Sequence, residues 1–159
     1  MSYVCKRVFR AIRLICAAAV AFCIALYFAA PLLFPLSAQP SGGTDRAKRE
    51  YALYTPSSNA TFVGKADFLD ALLRVKGESA EWTESTAAEV RAAYERLKTH
   101  YSVRLTFTER IDGGTAYYCY AEKIGAAKAV CVNGFPVNLH VYIKDNGIKV
   151  GVPLIFGGY

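Results

Sequence analysis

The sequence is poor in the residue types from which catalytic and metal sites are built. It has two His, five Cys, one Met and one Trp among 159 residues. It contains no C-x-x-C pair, no H-E-x-x-H, no G-x-S-x-G, and no glycine motif for phosphates or dinucleotides. These absences exclude the motif-bearing hydrolases, zinc proteins and nucleotide-binding folds. We therefore predict no cofactor, no metal site and no assigned catalytic residue.

Glycine, proline and cysteine are also too scarce for the unusual classes of chain. With 12 Gly, 6 Pro and 5 Cys, the sequence is neither collagen-like nor a disulfide-dense mini-protein. Hydrophobic residues make up 53%, which excludes a disordered chain. The length allows one domain of ordinary size.

Acidic residues are missing from residues 1–38, although the chain has 13 of them. The same segment holds four basic residues, Lys6, Arg7, Arg10 and Arg13. The rest of the chain carries 15 basic and 13 acidic residues, so most of the net charge of +6 is local. A nearly neutral remainder without a basic stripe does not favour nucleic-acid binding, and we predict no nucleic-acid partner.

An uncharged, apolar run extends from Leu14 to Phe34, directly after these cations. As a helix, its 21 residues reach about 31 Å, enough to cross the core of a bilayer. Basic residues before it predict a cytoplasmic N-terminus and an exported C-terminal part. One interpretation is an uncleaved signal anchor in a single-pass membrane protein. The other is a signal peptide cleaved after Ala38, which would release a periplasmic or extracellular protein.

The composition divides the chain into three parts. Residues 1–36 are the predicted membrane anchor or signal, residues 37–60 a flexible linker with Pro, Ser and Gly, and residues 61–159 an exported domain. Within that domain we expect one helix over about 64–76 and a second that begins at Thr86. Glu89 lies three positions after Thr86 and completes a capping box, and the helix extends to about His100.

After His100 the apolar period changes from that of a helix to that of a strand. Val103, Leu105 and Phe107 alternate with polar residues, and turn residues recur through the remaining chain. We expect about five short antiparallel strands in a meander with two helices packed on it. The predicted fold class is therefore α+β. Its helix-then-meander order is loosely similar in shape to cystatin-type folds, a likeness that implies no function.

Two hairpin registers follow from the pattern. A type I′ turn at Asn146-Gly147 would place Ile143 opposite Val150 and Tyr142 opposite Gly151. A hairpin centred on Gly125 would place Cys119 opposite Cys131. In an exported domain this pair predicts a cross-strand disulfide, with two buried free thiols as the alternative.

The polar face of the predicted strands is the candidate binding surface. It presents Asn138, His140 and Tyr142 on one strand, with Tyr118 and Tyr120 from a neighbour. Tyrosine is common both on sheet faces and at protein interfaces.

Two functions are compatible with these observations. The first is a non-enzymatic binding protein that recognises another protein or an envelope component, including inhibitor or immunity-type proteins and subunits of envelope complexes. Its partners would be the membrane, through the N-terminal helix, and a protein. The alternative is a small extracytoplasmic hydrolase or ligand-binding enzyme that uses His140 in a pocket between helix and sheet.

Overall fold

The computed structural model describes residues 3–36, 48–57, 59–63, 66, 75–83, 85–156 and 158. The helices in this part of the chain are α1 (Tyr3–Leu33) and α2 (Ala87–Tyr101). The strands, in chain order, are β1 (Lys48–Tyr54), β2 (Ala60–Phe62), β3 (Gly77–Thr83), β4 (Val103–Ile111), β5 (Gly114–Ala121), β6 (Val130–Val132), β7 (Phe135–Val137), β8 (Leu139–Lys144) and β9 (Gly147–Val152).

Seven of these strands form one sheet in the order β2-β1-β3-β9-β8-β5-β4, and β6 and β7 form a separate two-stranded ribbon. All of these strand pairs are antiparallel. The predicted α+β class, with helices and a meander-like antiparallel sheet, is confirmed. The sheet is wider than the five strands expected, because β1, β2 and β3 precede the segment that was predicted to be the meander.

The extra strands change the predicted linker over 37–60. Its residues 48–54 form β1, which pairs with β3 from end to end, so this part belongs to the sheet. The predicted helix over 64–76 falls mostly outside the described residues, and Gly77 begins β3.

A buried acidic residue interrupts the alternation of apolar residues in the sequence of β3. Glu78, Ala80 and Trp82 point to the same side of the sheet, and Glu78 is only 1% exposed. A carboxylate in an apolar position breaks the alternation by which a strand is identified. The segment therefore resembled a connection between helices.

The N-terminal helix α1 has 31 residues and is longer than the 21-residue apolar run, because it also includes the basic segment before that run. All of its described side chains between Ile12 and Ala25 are exposed, including Leu14 and Phe22 at more than 60%. Within the described residues, no helix meets the length and apolarity needed to cross a membrane.

Helix α2 begins as the sequence predicts. Thr86 is its N-cap, the Thr86 hydroxyl accepts a hydrogen bond from the Glu89 amide, and the Glu89 carboxylate accepts one from the Thr86 amide. This capping box is confirmed. The helix ends at Ser102, whose left-handed backbone (φ 52°) turns the chain directly into β4.

The two faces of the sheet carry separate cores. The inner face packs against α2 and contains the larger cluster, including Trp82, Val141 and Val150. The outer face carries a smaller cluster around Tyr118 and Tyr142. It is covered by the ribbon β6–β7 and by the chain after β9, where Leu154 and Ile155 pack on it.

The predicted β8–β9 register is wrong by two residues. Ile143 lies opposite Ile148 and Tyr142 opposite Lys149, because the turn consists of Asp145 and Asn146. A shift of two residues keeps every apolar side chain on its face, so the alternation could not distinguish the two registers. Gly147 is needed for another reason: a Cβ there would lie 2.9 Å from the Trp82 carbonyl oxygen on β3.

The predicted hairpin centred on Gly125 does not form. β5 pairs instead with β8, so Cys119 lies opposite Leu139, and Cys131 lies opposite Pro136 in the ribbon β6–β7. Cys119 is buried, Cys131 is exposed, and both are free thiols. The predicted Cys119–Cys131 disulfide is therefore absent. It required the two cysteines to face each other in one hairpin, whereas Cys131 lies in the ribbon inserted between β5 and β8.

Candidate functional site

The predicted binding face is buried rather than exposed. Asn138, His140 and Tyr142 are 0%, 2% and 3% exposed, and Tyr118 is 8% exposed. Tyr120 alone among the five predicted residues is partly exposed, with the Arg104 guanidinium 5.8 Å from its ring centre. The prediction of a flat, accessible tyrosine face is wrong.

The covering chain explains this burial. Strand β9 ends at Val152, and the chain after it folds back over the outer face. A Cβ on Gly151 would lie 2.4 Å from the Leu154 carbonyl oxygen, so only glycine permits this close return. Phe156 then packs against Tyr54, with ring centres 5.4 Å apart.

His140 is part of a stack of rings across three strands. The Tyr118 ring lies between Phe107 on β4 and His140 on β8, at centroid distances of 4.3 and 4.2 Å. The amide of Ile155 donates a hydrogen bond to Nδ1 of His140 (3.3 Å). Burial lowers the pKa of the imidazole to about 4. A neutral ring that accepts a backbone hydrogen bond is a packing element of the outer core.

This position does not support the enzymatic alternative. His140 lies on the outer face, whereas the predicted catalytic pocket was between helix and sheet. In the described residues, no group of three or more His, Cys, Asp or Glu side chains is placed to bind a metal ion. Cys119 also lies on the inner face, where burial raises the pKa of its thiol to about 12 and leaves it protonated at neutral pH.

The buried imidazole makes a pH-dependent contribution to stability. Unfolded chains bind a proton at His below pH of about 6.5, whereas the folded chain resists protonation until about pH 4. We expect the free energy of unfolding to fall by on the order of 3 kcal/mol between these values. The measurement is urea denaturation followed by the fluorescence of Trp82, the sole Trp.

A matched variant isolates this effect from other titrating groups. His140→Phe preserves a ring against Tyr118 but binds no proton, so the stability difference between wild type and variant should shrink or reverse towards pH 4. Parallel stability curves for the two proteins from pH 7 to pH 4 would show that His140 is already accessible to solvent protons.

Asn138 and Tyr142 also stabilise the fold from buried positions. The Asn138 side chain accepts a hydrogen bond from the Ala121 amide (2.6 Å) and donates to the carbonyls of Ala121 and Gly125 (both 2.9 Å). It thereby closes the insertion between β5 and β8. The Tyr142 hydroxyl donates to the Ile111 carbonyl, and its ring crosses over Gly114, where a Cβ would lie 2.6 Å away.

The end of α1 makes a second group of specific contacts, which the sequence did not indicate. The four residues Leu33–Leu36 are here called the junction segment; two of them enter the inner core, where Phe34 is 4% and Leu36 0% exposed. The Tyr101 hydroxyl donates to the Pro35 carbonyl (2.7 Å), and the Arg49 guanidinium donates to the Leu36 carbonyl (2.9 Å). Contacts from α2 and β1 therefore hold the segment in place.

A buried charge on β3 completes the junction. The Glu78 carboxylate accepts hydrogen bonds from the Leu36 amide (3.2 Å) and from the Tyr51 hydroxyl (2.7 Å). Lys128 donates to the Leu33 carbonyl at the end of α1, where a cation complements the helix dipole. Burial lowers the pKa of the Lys128 amine, and the charge of Glu78 opposes this shift. A cavity of about 150 Å³ lies beside these groups.

Among the described residues outside α1, the large exposed apolar side chains lie near one edge of the sheet. Strand β4 is the last strand in the order, so its outer edge has no neighbouring strand in the described part of the chain. Leu105 on β4 is 51% exposed, and Phe135 on the ribbon is 52% exposed with its ring 6.3 Å from that of Phe107. We call β4 and Phe135 together the edge surface.

Comparison with protein-family models, with curated proteins and with solved structures finds no match for this chain.

Proposed function

We propose that this protein is a membrane-anchored, non-enzymatic binding protein whose exported domain engages another protein through the edge surface. The observation that carries the proposal is the outer edge of β4, with which no strand of the described residues pairs. An open strand edge presents backbone donors and acceptors to an added strand, and it is flanked here by the exposed side chains of Leu105 and Phe135.

The surrounding residues support a site for protein rather than for a small molecule. Arg104, Thr108, Glu109 and Arg110 are exposed along β4, so polar and charged groups flank the exposed Leu105. A polar rim around a few exposed aromatic and aliphatic side chains is the usual anatomy of a protein interface. The predicted tyrosine face, in contrast, is occupied by the chain's own C-terminal residues.

Support for anchoring comes from the junction segment. Cleavage after Ala38 would remove Phe34 and Leu36 from the inner core and leave the buried Glu78 carboxylate without the Leu36 amide. An uncleaved anchor keeps these contacts. The basic residues before the apolar run favour an orientation of α1 with its N-terminus in the cytoplasm and the domain in the periplasm or outside the cell.

Site-specific photocrosslinking in intact membranes tests the binding site. A photoreactive amino acid in place of Phe135 should give a crosslinked protein adduct, because this side chain lies at the centre of the proposed contact. The same amino acid in place of Ala88, exposed on α2, is the matched control and should give none. Equal adducts from both positions, or none from Phe135, would contradict the proposed surface.

A further inference from the structure

We propose that the partner of the edge surface is a second copy of this chain, with the two β4 strands paired antiparallel about a two-fold axis. This inference rests on the proposed function, since it names the partner of the same surface. It follows from the charges of β4 and from an irregularity in its register.

The irregularity lies at Thr106. Leu105 pairs with Cys119, and Phe107 pairs with Tyr118, so Thr106 is an extra residue and forms a β-bulge. An extra residue changes the phase of the alternation between the two faces of the sheet. Arg104 before the bulge and Glu109 after it consequently lie on the same face, although five positions separate them.

Contacts within the chain place both side chains on the outer face. The Arg104 guanidinium lies 5.8 Å from the ring centre of Tyr120. The Glu109 carboxylate accepts a hydrogen bond from the hydroxyl of Tyr118 (3.1 Å). Tyr118 and Tyr120 are two residues apart on β5, so they share a face.

This arrangement makes the edge self-complementary. In an antiparallel pair, residues directly opposite each other share a face. If Arg104 of one copy lies opposite Glu109 of the second, the two-fold axis also places Glu109 of the first copy opposite Arg104 of the second. The contact then contains two ion pairs. Leu105 then lies opposite Thr108, so the inner-face residues also match. Without the bulge, Arg104 and Glu109 could not meet across the axis on one face.

The exposed apolar residues support the same register. The two-fold axis would pass between Thr106 and Phe107, so the Phe107 rings of the two copies flank it on the outer face. Phe135 lies 6.3 Å from Phe107, which brings its exposed ring to the same contact. Leu105 lies on the inner face, where the second copy would cover it. Pairing of the edges would therefore bury the two large, exposed apolar side chains outside α1 in the described residues.

Charge reversal of the full chain in detergent micelles tests the register. Sedimentation equilibrium should show a dimer for the wild type. Arg104→Glu and Glu109→Arg should each raise the dimer Kd about tenfold or more, because both ion pairs become like-charge pairs. An equimolar mixture of the two variants should dimerise again, since one copy would then carry acidic side chains at both positions and the other copy basic side chains at both.

Two controls separate this result from other causes. Tyr118→Phe removes the hydrogen bond to Glu109 within the chain and should leave the dimer intact. At a protein concentration below the dimer Kd, where every copy is a monomer, fluorescence of Trp82 should show the same unfolding midpoint for each charge variant as for the wild type, because both charged side chains are exposed.

Other outcomes overturn the proposal. A monomeric wild type would mean that the bulge and the charges only protect the edge from pairing. A dimer that survives both single reversals forms elsewhere, for example through α1. If Phe135 crosslinks to a different protein, the proposed binding surface stands and the second copy is excluded. If it crosslinks to nothing, the proposed function fails as well.

Discussion

Replacement of Leu36 by Ala lowers the free energy of unfolding of the domain by about 3 kcal/mol, because the side chain is fully buried and the backbone around it is held by hydrogen bonds. Phe34→Ala has an effect of similar size, and the double variant loses about 5 kcal/mol. Urea denaturation of the full chain in detergent, followed by Trp82 fluorescence, measures these losses.

The control for this experiment is the same substitution in α1. Leu14 is 69% exposed and does not belong to the domain core. Leu14→Ala should therefore change the stability of the domain by less than about 0.5 kcal/mol. A loss at Leu36 no larger than that at Leu14 would show that the junction segment is not docked. The domain would then be joined to α1 by a mobile connection.

Asn138→Asp should destabilise the protein by about 4 kcal/mol, although the two side chains have the same shape. The variant replaces the donor Nδ2 with an oxygen that faces the carbonyls of Ala121 and Gly125. The carboxylate would also be fully buried, since Asn138 is 0% exposed. Thermal and urea unfolding of the full chain measure the loss.

Asn133 provides the matched comparison for this substitution. It is exposed in the turn between β6 and β7, with a left-handed backbone (φ 51°) that Asp also tolerates. Asn133→Asp should therefore change stability by less than about 0.5 kcal/mol. Equal effects at the two positions would mean that Asn138 is accessible, as the original prediction of a binding residue required.

The turn dipeptides explain which hairpins could be predicted. Asp112-Gly113 and Asn133-Gly134 both have positive φ values at both residues, as a type I′ turn requires. Asn146-Gly147 is the same kind of dipeptide, yet neither residue has a positive φ in the structure. Its glycine is instead required by the nearby carbonyl of Trp82 on β3, a long-range contact that a local rule does not contain.

The start of α2 could be predicted from the sequence because its signal is local. Thr86 and Glu89 are three residues apart, and their reciprocal hydrogen bonds depend on nothing else in the fold. Strand β3 contains the buried Glu78, whose carboxylate accepts hydrogen bonds from the junction segment and from Tyr51, two distant parts of the chain. Sequence alternation could not show either partner.

The candidate binding site differs from the predicted one for a similar reason. Tyr118, His140 and Tyr142 were correctly placed together on one face, but the accessibility of that face depended on Leu154 and Ile155. Because these two residues are apolar and follow a strand, they were compatible with an extension of that strand. In the structure they instead cover the tyrosines. The edge surface could have been noticed from Arg104, Leu105 and Glu109, but its meaning depends on the bulge at Thr106.

The intact mass of the protein, purified from the membranes of cells that express it, tests the central claim most directly. If the junction segment anchors the domain to an uncleaved α1, the protein retains residues 33–36 and the mass includes the whole apolar run. A mature chain that begins at Gln39 would contradict the account, because the domain would then fold without Phe34 and Leu36 in its core.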